Sequence, residues 1–165
     1  MEKQNCSAGI LLISVGVQVM GFDYEVYEKE RDAIREINAL HLQGFEKWLT
    51  SSGLSERTID THLSNVDFYI NDFLCYYYAE DVRQGCYSVS SFLGDWFIRK
   101  AMWSSCSGIK SNAASLKKFY AYLLAVNVIE QKDYYVLCTT IKVELPKWLN
   151  VMRSHDEMLY DEDYF

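Results

Sequence analysis

The sequence predicts an all-α fold, a bundle of about four to six helices, and three observations support this prediction. A chain of 165 residues has the size of one domain, and it can bury roughly 70 % of its unfolded surface. Half of the residues are apolar, and Pro146 is the sole proline, so long stretches are free to be helical. Beyond residue 20, apolar side chains recur mostly at helical spacing, and no strand-rich region is apparent.

The charge and the cysteines narrow the class of protein. The chain carries 16 basic and 23 acidic side chains, a net charge of −7. This balance argues against a protein that coats nucleic acid indiscriminately, but it leaves room for a local basic patch. The five cysteines are scattered without a CxxC pair. Such a distribution fits neither a disulfide scaffold nor a zinc site, and it favours reduced thiols in a cytoplasmic protein without a metal or other cofactor.

Residues 1–21 form an N-terminal extension that differs from the rest of the chain. The apolar stretch 9–22 has 14 residues, whereas a membrane-spanning helix needs about 20. Glu2 beside Lys3 and the lack of a small-residue cleavage site argue against a signal peptide. Two interpretations remain open: a poorly ordered extension, or a gene start placed too early with Met20 as the true initiator. Neither predicts contact with a membrane.

The predicted helical domain covers residues 22–153 and begins with two helices. The first is predicted over 23–50, and Gly53 suits the left-handed position that ends a helix. The second is predicted over 55–78, with Ser55 as the N-cap. A buried stripe is predicted along this second helix, formed by Ile59, Leu63, Val66, Ile70, Phe73, Leu74 and Tyr77.

The rest of the sequence predicts further helices in the domain and an acidic segment after it. A third helix should turn five apolar residues inward: Val89, Phe92, Leu93, Trp96 and Phe97. One or two helices are predicted over 130–143 and 145–153, with Pro146 starting or kinking the last of them. Residues 154–165 contain five carboxylate side chains and no lysine or arginine. They are predicted to form a loosely held acidic tail.

The stretch 108–129 predicts a helix with two different sides. Six apolar residues fall within about 60° of one line at 100° per residue: Ile109, Ala113, Leu116, Tyr120, Leu123 and Leu124. Ser111, Ser115, Lys118 and Tyr122 are predicted to lie roughly opposite, with Lys110 and Lys117 on one flank. The helix should therefore have one buried side and one basic, hydroxyl-bearing side.

Positive charge is concentrated around this helix. Between Trp96 and Ile129 there are five basic residues and no acidic one: Arg99, Lys100, Lys110, Lys117 and Lys118. A concentrated positive face attracts phosphate groups. The competing interpretation is an ordinary solvated helix face, and in that case Arg99 and Lys100 interact with the dipole at a helix C-terminus.

Four motifs occur in a recognisable order along residues 42–129, about half of the chain. They are Phe45-x-x-Trp48-Leu49, then Gly53-Leu54-Ser55-x-x-Thr58-Ile59, then Leu63…Phe73-Leu74, then Ser111…Ser115-Leu116-Lys117-Lys118-Phe119-Tyr120-x-Tyr122-Leu123. This order resembles the N-terminal core-binding, SAM-like domain of tyrosine recombinases, the phage-type integrases.

The resemblance implies a SAM-like core-binding fold that clamps one side of double-stranded DNA. Its second and fourth helices face the major groove, and they correspond here to residues 55–78 and 109–126. The candidate DNA-binding residues are Lys110, Ser111, Lys117, Lys118, Arg99, Lys100 and Arg57. Lysine and arginine side chains on such a face position the duplex through its phosphates.

The catalytic domain of these recombinases has no counterpart in the sequence. About 36 residues follow Ile129, and no His-x-x-Arg motif occurs. The sequence therefore predicts a non-enzymatic DNA-binding module linked to DNA recombination or integration, as a remnant, an accessory factor or a regulator, with a full-length recombinase as a further candidate partner. The alternative is a helical protein-interaction module that binds a protein and not DNA.

Overall fold

The structure is a computed structural model that describes the backbone of residues 24–162 and the side chains of residues 24–158. Over these residues the chain is helical and contains no strand, which confirms the predicted all-α bundle. The elements in chain order are α1 (Tyr24–Ser51), α2 (Glu56–Asp67), the π-helical segment π1 (Phe68–Phe73), α3 (Val82–Gly85), α4 (Val89–Ser91), the π-helical segment π2 (Phe92–Trp96), α5 (Phe97–Lys100), α6 (Cys106–Ala125) and α7 (Gln131–Glu162). The predicted extension over residues 1–21 lies outside the described residues.

The turn between α1 and α2 follows the sequence signals closely. Gly53 adopts a φ of 73°, a left-handed conformation that costs glycine little because it has no Cβ. The side chain of Ser55 accepts a hydrogen bond from the backbone N–H of Thr58 at 3.3 Å, which confirms Ser55 as the N-cap. The second helix ends earlier than predicted, because it passes into π1 and finishes at Phe73. Tyr77 was therefore wrongly assigned to the buried stripe, since it is 62 % exposed.

Two π-helical segments, π1 and π2, pack against each other through aromatic rings. The ring of Phe92 lies 4.8 Å from that of Tyr69 and 5.0 Å from that of Phe73. The wider π turn also changes the backbone hydrogen bonding. The buried Asn38 of α1 donates to the carbonyl oxygen of Ile70 at 3.2 Å. An amide from one helix thus satisfies a carbonyl inside the π-helical segment of another.

A single hydrophobic core joins the helices. All five residues predicted to point inward from the third helix are buried, although that helix is divided into α4, π2 and α5. The short helix α3 is tied to the core by two buried tyrosines. The hydroxyl of Tyr69 donates to the carbonyl of Gly85, and that of Tyr120 donates to the carbonyl of Val82 at 2.8 Å.

The last 32 described residues form one long helix, α7 (Gln131–Glu162), with Pro146 inside it. The segment predicted as a tail continues this helix as far as Glu162. Trp148 is buried against π2, where a Cβ added to Gly94 would lie 2.7 Å from Trp148 Cδ1. Glycine is therefore required at this position for α7 to approach so closely. Among the described residues, no helix is both long and apolar enough to cross a membrane.

Candidate functional site

The basic helix predicted from the sequence is α6, and it starts slightly earlier than predicted. Ser105 is its N-cap, and the side-chain oxygen accepts a hydrogen bond from the backbone N–H of Gly108 at 3.0 Å. The predicted apolar side is confirmed for five of its six residues, which are buried: Ile109, Ala113, Leu116, Tyr120 and Leu123. Leu124 is half-buried.

The prediction that Ser115 and Tyr122 lie on a solvent-facing side of α6 is wrong. Ser115 is fully buried and Tyr122 is 8 % exposed. The reason is that α1 and α2 cover this side of the helix. The ring of Tyr122 lies 5.8 Å from that of Phe45 and 6.3 Å from that of Trp48, both on α1. Polar character therefore did not indicate exposure here.

A polar network holds α6 against α2. Nδ1 of His62 lies 2.8 Å from Oγ of Ser115. The amide of Asn65 donates to the hydroxyl oxygens of Ser111 and Ser115, at 2.9 Å each. The hydroxyl of Ser115 in turn donates to the carbonyl of Ser111 at 2.9 Å. His62 is a packed side chain, with 8 % of its surface exposed.

The contact between His62 and Ser115 supports the packing of α2 against α6 and does not provide an accessible nucleophile. A serine beside a histidine can act as an activated nucleophile, but only where a substrate reaches the serine oxygen. Here that residue is fully buried. Burial lowers the pKa of His62, and the nearby charge of Lys118 lowers it further, so the ring is held in its neutral, hydrogen-bonding form.

The third side of α6 borders a groove, and this groove is the candidate site. The helices α6 and α7 run antiparallel, and Cys106 Sγ lies 3.7 Å from the carbonyl oxygen of Leu149. Between them the surface forms an open groove of about 830 Å³. We call it the lysine groove, and its lining residues are Trp48, Ala114, Lys117, Lys118, Ala121, Tyr134, Cys138, Ile141, Lys142 and Leu145. Two alanines on α6 leave room beside α7, because neither carries a side chain beyond Cβ.

The charge of the lysine groove is entirely positive. Lys117 and Lys118 come from α6 and Lys142 from α7, and among the described residues the lining contains no carboxylate. Lys117 and Lys142 are exposed, whereas Lys118 is half-buried. Without a neighbouring carboxylate, each ammonium group is available to an anion that enters the groove. The apolar floor beneath them includes Trp48 and Tyr134.

Lys142 is a residue that sequence reasoning missed. It lies in α7, beyond residue 129, where the resemblance to the core-binding domain ends. The signal that could have found it was the pairing of two consecutive helices through a short connection. Such helices pack antiparallel, which places the first half of α7 beside the second half of α6.

The other predicted residues of α6 and α2 have different surroundings. Lys110 is exposed two turns before Lys117, outside the lining of the lysine groove. Ser111 is half-buried, and its hydroxyl accepts the hydrogen bond from Asn65. Arg57 is exposed in the first turn of α2. Of the seven predicted residues, only Lys117 and Lys118 line the groove.

Arg99 and Lys100 belong to a different part of the surface. Nε of Arg99 donates to Oδ1 of Asp95 at 2.7 Å, in an exposed i,i+4 ion pair. The ammonium of Lys100 lies 5.6 Å from the centre of the Tyr76 ring. Asp95 immediately precedes the window without acidic residues that was counted from Trp96, so the sequence count overstated the free positive charge.

The described residues do not provide a metal site. No group of three or more histidine, cysteine, aspartate or glutamate side chains within them could hold a metal ion. Cys75, Cys86, Cys106 and Cys138 are free thiols. Burial raises the pKa of Cys86 to about 11, which keeps this thiol protonated and unreactive at neutral pH.

Comparison with known proteins gives no match to the chain, whether with protein-family models, with curated proteins or with solved structures. The resemblance to the core-binding domain of tyrosine recombinases therefore stays a prediction based on the order of four sequence motifs. The class that the structure itself defines is an all-α bundle with a basic groove on one side.

Proposed function

We propose that this protein is a non-catalytic DNA-binding module that holds double-stranded DNA through the lysine groove. The observation that carries the proposal is the grouping of Lys117, Lys118 and Lys142 in a lining without a carboxylate. This grouping stands out on a chain with a net charge of −7. The resemblance to the core-binding domain supports a role in DNA recombination or integration.

Lysines in this arrangement are suited to phosphate contacts. An ammonium group is a compact charge on a flexible stem, so it follows the backbone of a duplex without reading its sequence. Two of the three groups are exposed and can reach a phosphate at little cost in desolvation. The remaining surface is acidic overall and repels DNA, and this repulsion favours an approach through the groove.

The second candidate function is the recognition of an acidic protein segment, and one observation favours it. The floor of the lysine groove is apolar, with Trp48, Tyr134, Ile141 and Leu145 in its lining. An amphipathic acidic helix could place its apolar side on this floor and its carboxylates against the lysines. A full-length recombinase is one candidate source of such a segment.

A charge-reversal experiment tests the DNA proposal. The groove variant carries Lys117→Glu, Lys118→Glu and Lys142→Glu. The matched control carries Lys29→Glu, Arg83→Glu and Lys147→Glu, which are exposed residues outside the lining with the same total change of charge. Both proteins and the parent are titrated against duplex DNA of about 30 base pairs at about 25 mM salt, where charges are weakly screened.

The proposal predicts that the groove variant loses DNA binding almost completely. The control should lose far less, because its reversed charges change only the long-range field. Equal losses in the two variants would place the contact elsewhere. A parent protein that shifts no DNA at low salt would overturn the proposal and favour the acidic protein segment.

A further inference from the structure

We propose that the lysine groove of one copy of this chain binds the acidic C-terminal segment, residues 154–165, of a second copy. The contact would form a self-associated species whose groove is closed to DNA. Its regulatory part rests on the proposed function, whereas the contact between two copies does not. Three observations favour this segment as the occupant of the groove: its negative charge, its apolar residues and the geometry of α7.

The charges of the groove and of the segment are complementary. In the part of the chain that the structure describes, three lysines and no carboxylate line the groove. Residues 154–165 contain five carboxylate side chains and no lysine or arginine. Asp156 and Glu157 already lie at the surface of α7, half-buried and exposed respectively. Bringing these two surfaces together reduces the repulsion within each, which favours association at low salt.

The apolar residues of the segment suit the floor of the groove. Met158 is 62 % exposed near the end of α7. In the sequence it is followed by further apolar and aromatic residues among the acidic ones, as DEMLYDEDYF. The groove offers Trp48, Ile141 and Leu145 as partners. Apolar burial combined with charge pairing distinguishes this contact from a purely electrostatic one.

The geometry of α7 directs the segment to a second copy. Lys142 and Asp156 both belong to the helix Gln131–Glu162. They are separated by 14 residues, or about 21 Å at a rise of 1.5 Å per residue. The helical part of the segment therefore extends away from the groove of its own chain. In a two-fold dimer, each groove could receive the segment of the other copy.

Sedimentation equilibrium on the full chain tests the contact. The parent should self-associate at about 25 mM salt and dissociate at about 300 mM, as expected for screened charges. The variants are the groove variant defined above, a tail variant with Asp156→Lys, Glu157→Lys and Asp161→Lys, and the protein that combines both sets. The control is the same protein with Lys29→Glu, Arg83→Glu and Lys147→Glu.

Each single set should weaken self-association by about tenfold or more, because attractions become repulsions. The combined variant should restore self-association, since both partners then carry the opposite sign. The control should weaken self-association far less than the groove variant, because its reversed charges change only the long-range field. A parent that stays monomeric at low salt, or a combined variant that is no stronger than either single set, would overturn the inference.

Carbodiimide cross-linking of a mixture of light and heavy-isotope protein supplies the second measurement. It should join the groove lysines of one isotope form to carboxylates of residues 154–165 of the other. Cross-links confined to single chains would contradict the inference, as they would place the segment in its own groove.

DNA binding separates this inference from the proposed function. If both hold, the tail variant binds duplex DNA more tightly than the parent, because its groove is no longer occupied. If the parent self-associates as described and binds no DNA, the contact between copies stands and the proposed function falls. If DNA binds through the groove while the parent is monomeric, the proposed function stands and the contact between copies falls.

Discussion

The two polar sides of α6 differ in how their polar groups are satisfied. Toward α2, Ser115 is fully buried and hydrogen-bonded to His62 and Asn65. Toward α7, Lys117 and Lys142 line an open groove without a carboxylate. Hydroxyl and amide groups can complete one another's hydrogen bonds inside a protein, whereas an unpaired ammonium has to stay near water. The first side should therefore determine stability and the second should determine binding.

The largest loss of stability is expected for a substitution in the hydrophobic core, which both sides of α6 share. Phe119 is fully buried, and its ring lies 5.3 Å from that of Phe45. Phe119→Ala should lower the free energy of unfolding by about 3–5 kcal/mol, the usual cost of deleting a buried aromatic ring. Urea denaturation measures this change. A loss below about 1 kcal/mol would mean that α1 and α6 are not packed as described.

The polar network toward α2 should give the next effect. Asn65→Ala removes the amide that donates to both Ser111 and Ser115. The predicted cost is about 1–3 kcal/mol, because the buried hydroxyl of Ser115 and the half-buried hydroxyl of Ser111 each lose a hydrogen-bond donor. Asn150→Ala serves as the control, since Asn150 is exposed on α7. Equal melting temperatures for the two variants would show that the network adds nothing to stability.

The same network predicts a pH dependence of stability. Burial and the charge of Lys118 lower the pKa of His62 below its ordinary value of 6.5. The unfolded chain then binds the proton more tightly than the folded one, so stability falls as the pH drops below about 6.5 and levels off below the folded pKa. His62→Gln should flatten the fall in melting temperature between about pH 7.5 and pH 5.

A part of this pH dependence should survive in the His62→Gln variant. Burial also lowers the pKa of His41, which contributes in the same direction. The double variant with His41→Gln should be flatter still. If melting temperature falls with pH equally steeply in the parent and in the His62→Gln variant, His62 titrates in the folded protein as it does in the unfolded chain.

The smallest expected effect on stability belongs to the side of α6 toward α7. The triple change of Lys117, Lys118 and Lys142 to alanine should alter the free energy of unfolding by no more than about 0.5 kcal/mol, as for other surface substitutions. Denaturation under the same conditions as for Phe119→Ala checks this value. A larger loss would mean that these lysines support the fold and do not serve binding alone.

The sequence predicted the fold class and the turn between the first two helices, because these depend on local signals. Gly53 and Ser55 mark the end of one helix and the start of the next, and the structure has both in these roles. The π-helical segments were not predicted. They depend on ring packing between Phe73 and Phe92 and on Asn38 of a distant helix, and hydrophobic periodicity reports neither.

The candidate site was predicted only in part, for a similar reason. Lys117 and Lys118 were identified by counting charges along the chain, which finds neighbours in sequence. The same count could not show that Asp95 neutralises Arg99, or that Lys142 of α7 lies beside α6. The helical projection placed Ser115 on the side of α6 opposite the apolar residues, and it could not show that His62 and Asn65 of another helix cover this side.

The central claim is that the lysine groove contacts DNA phosphates, and the salt dependence of binding tests it most directly. The slope of log affinity against log salt concentration is measured for the parent and for the triple alanine variant of Lys117, Lys118 and Lys142. Each phosphate contact contributes about 0.9 to this slope, so the variant should have a slope about two to three units shallower. Arg99→Ala with Lys100→Ala is the control and should leave the slope unchanged. If the parent and the triple alanine variant give the same slope, the groove makes no phosphate contacts and the claim is contradicted.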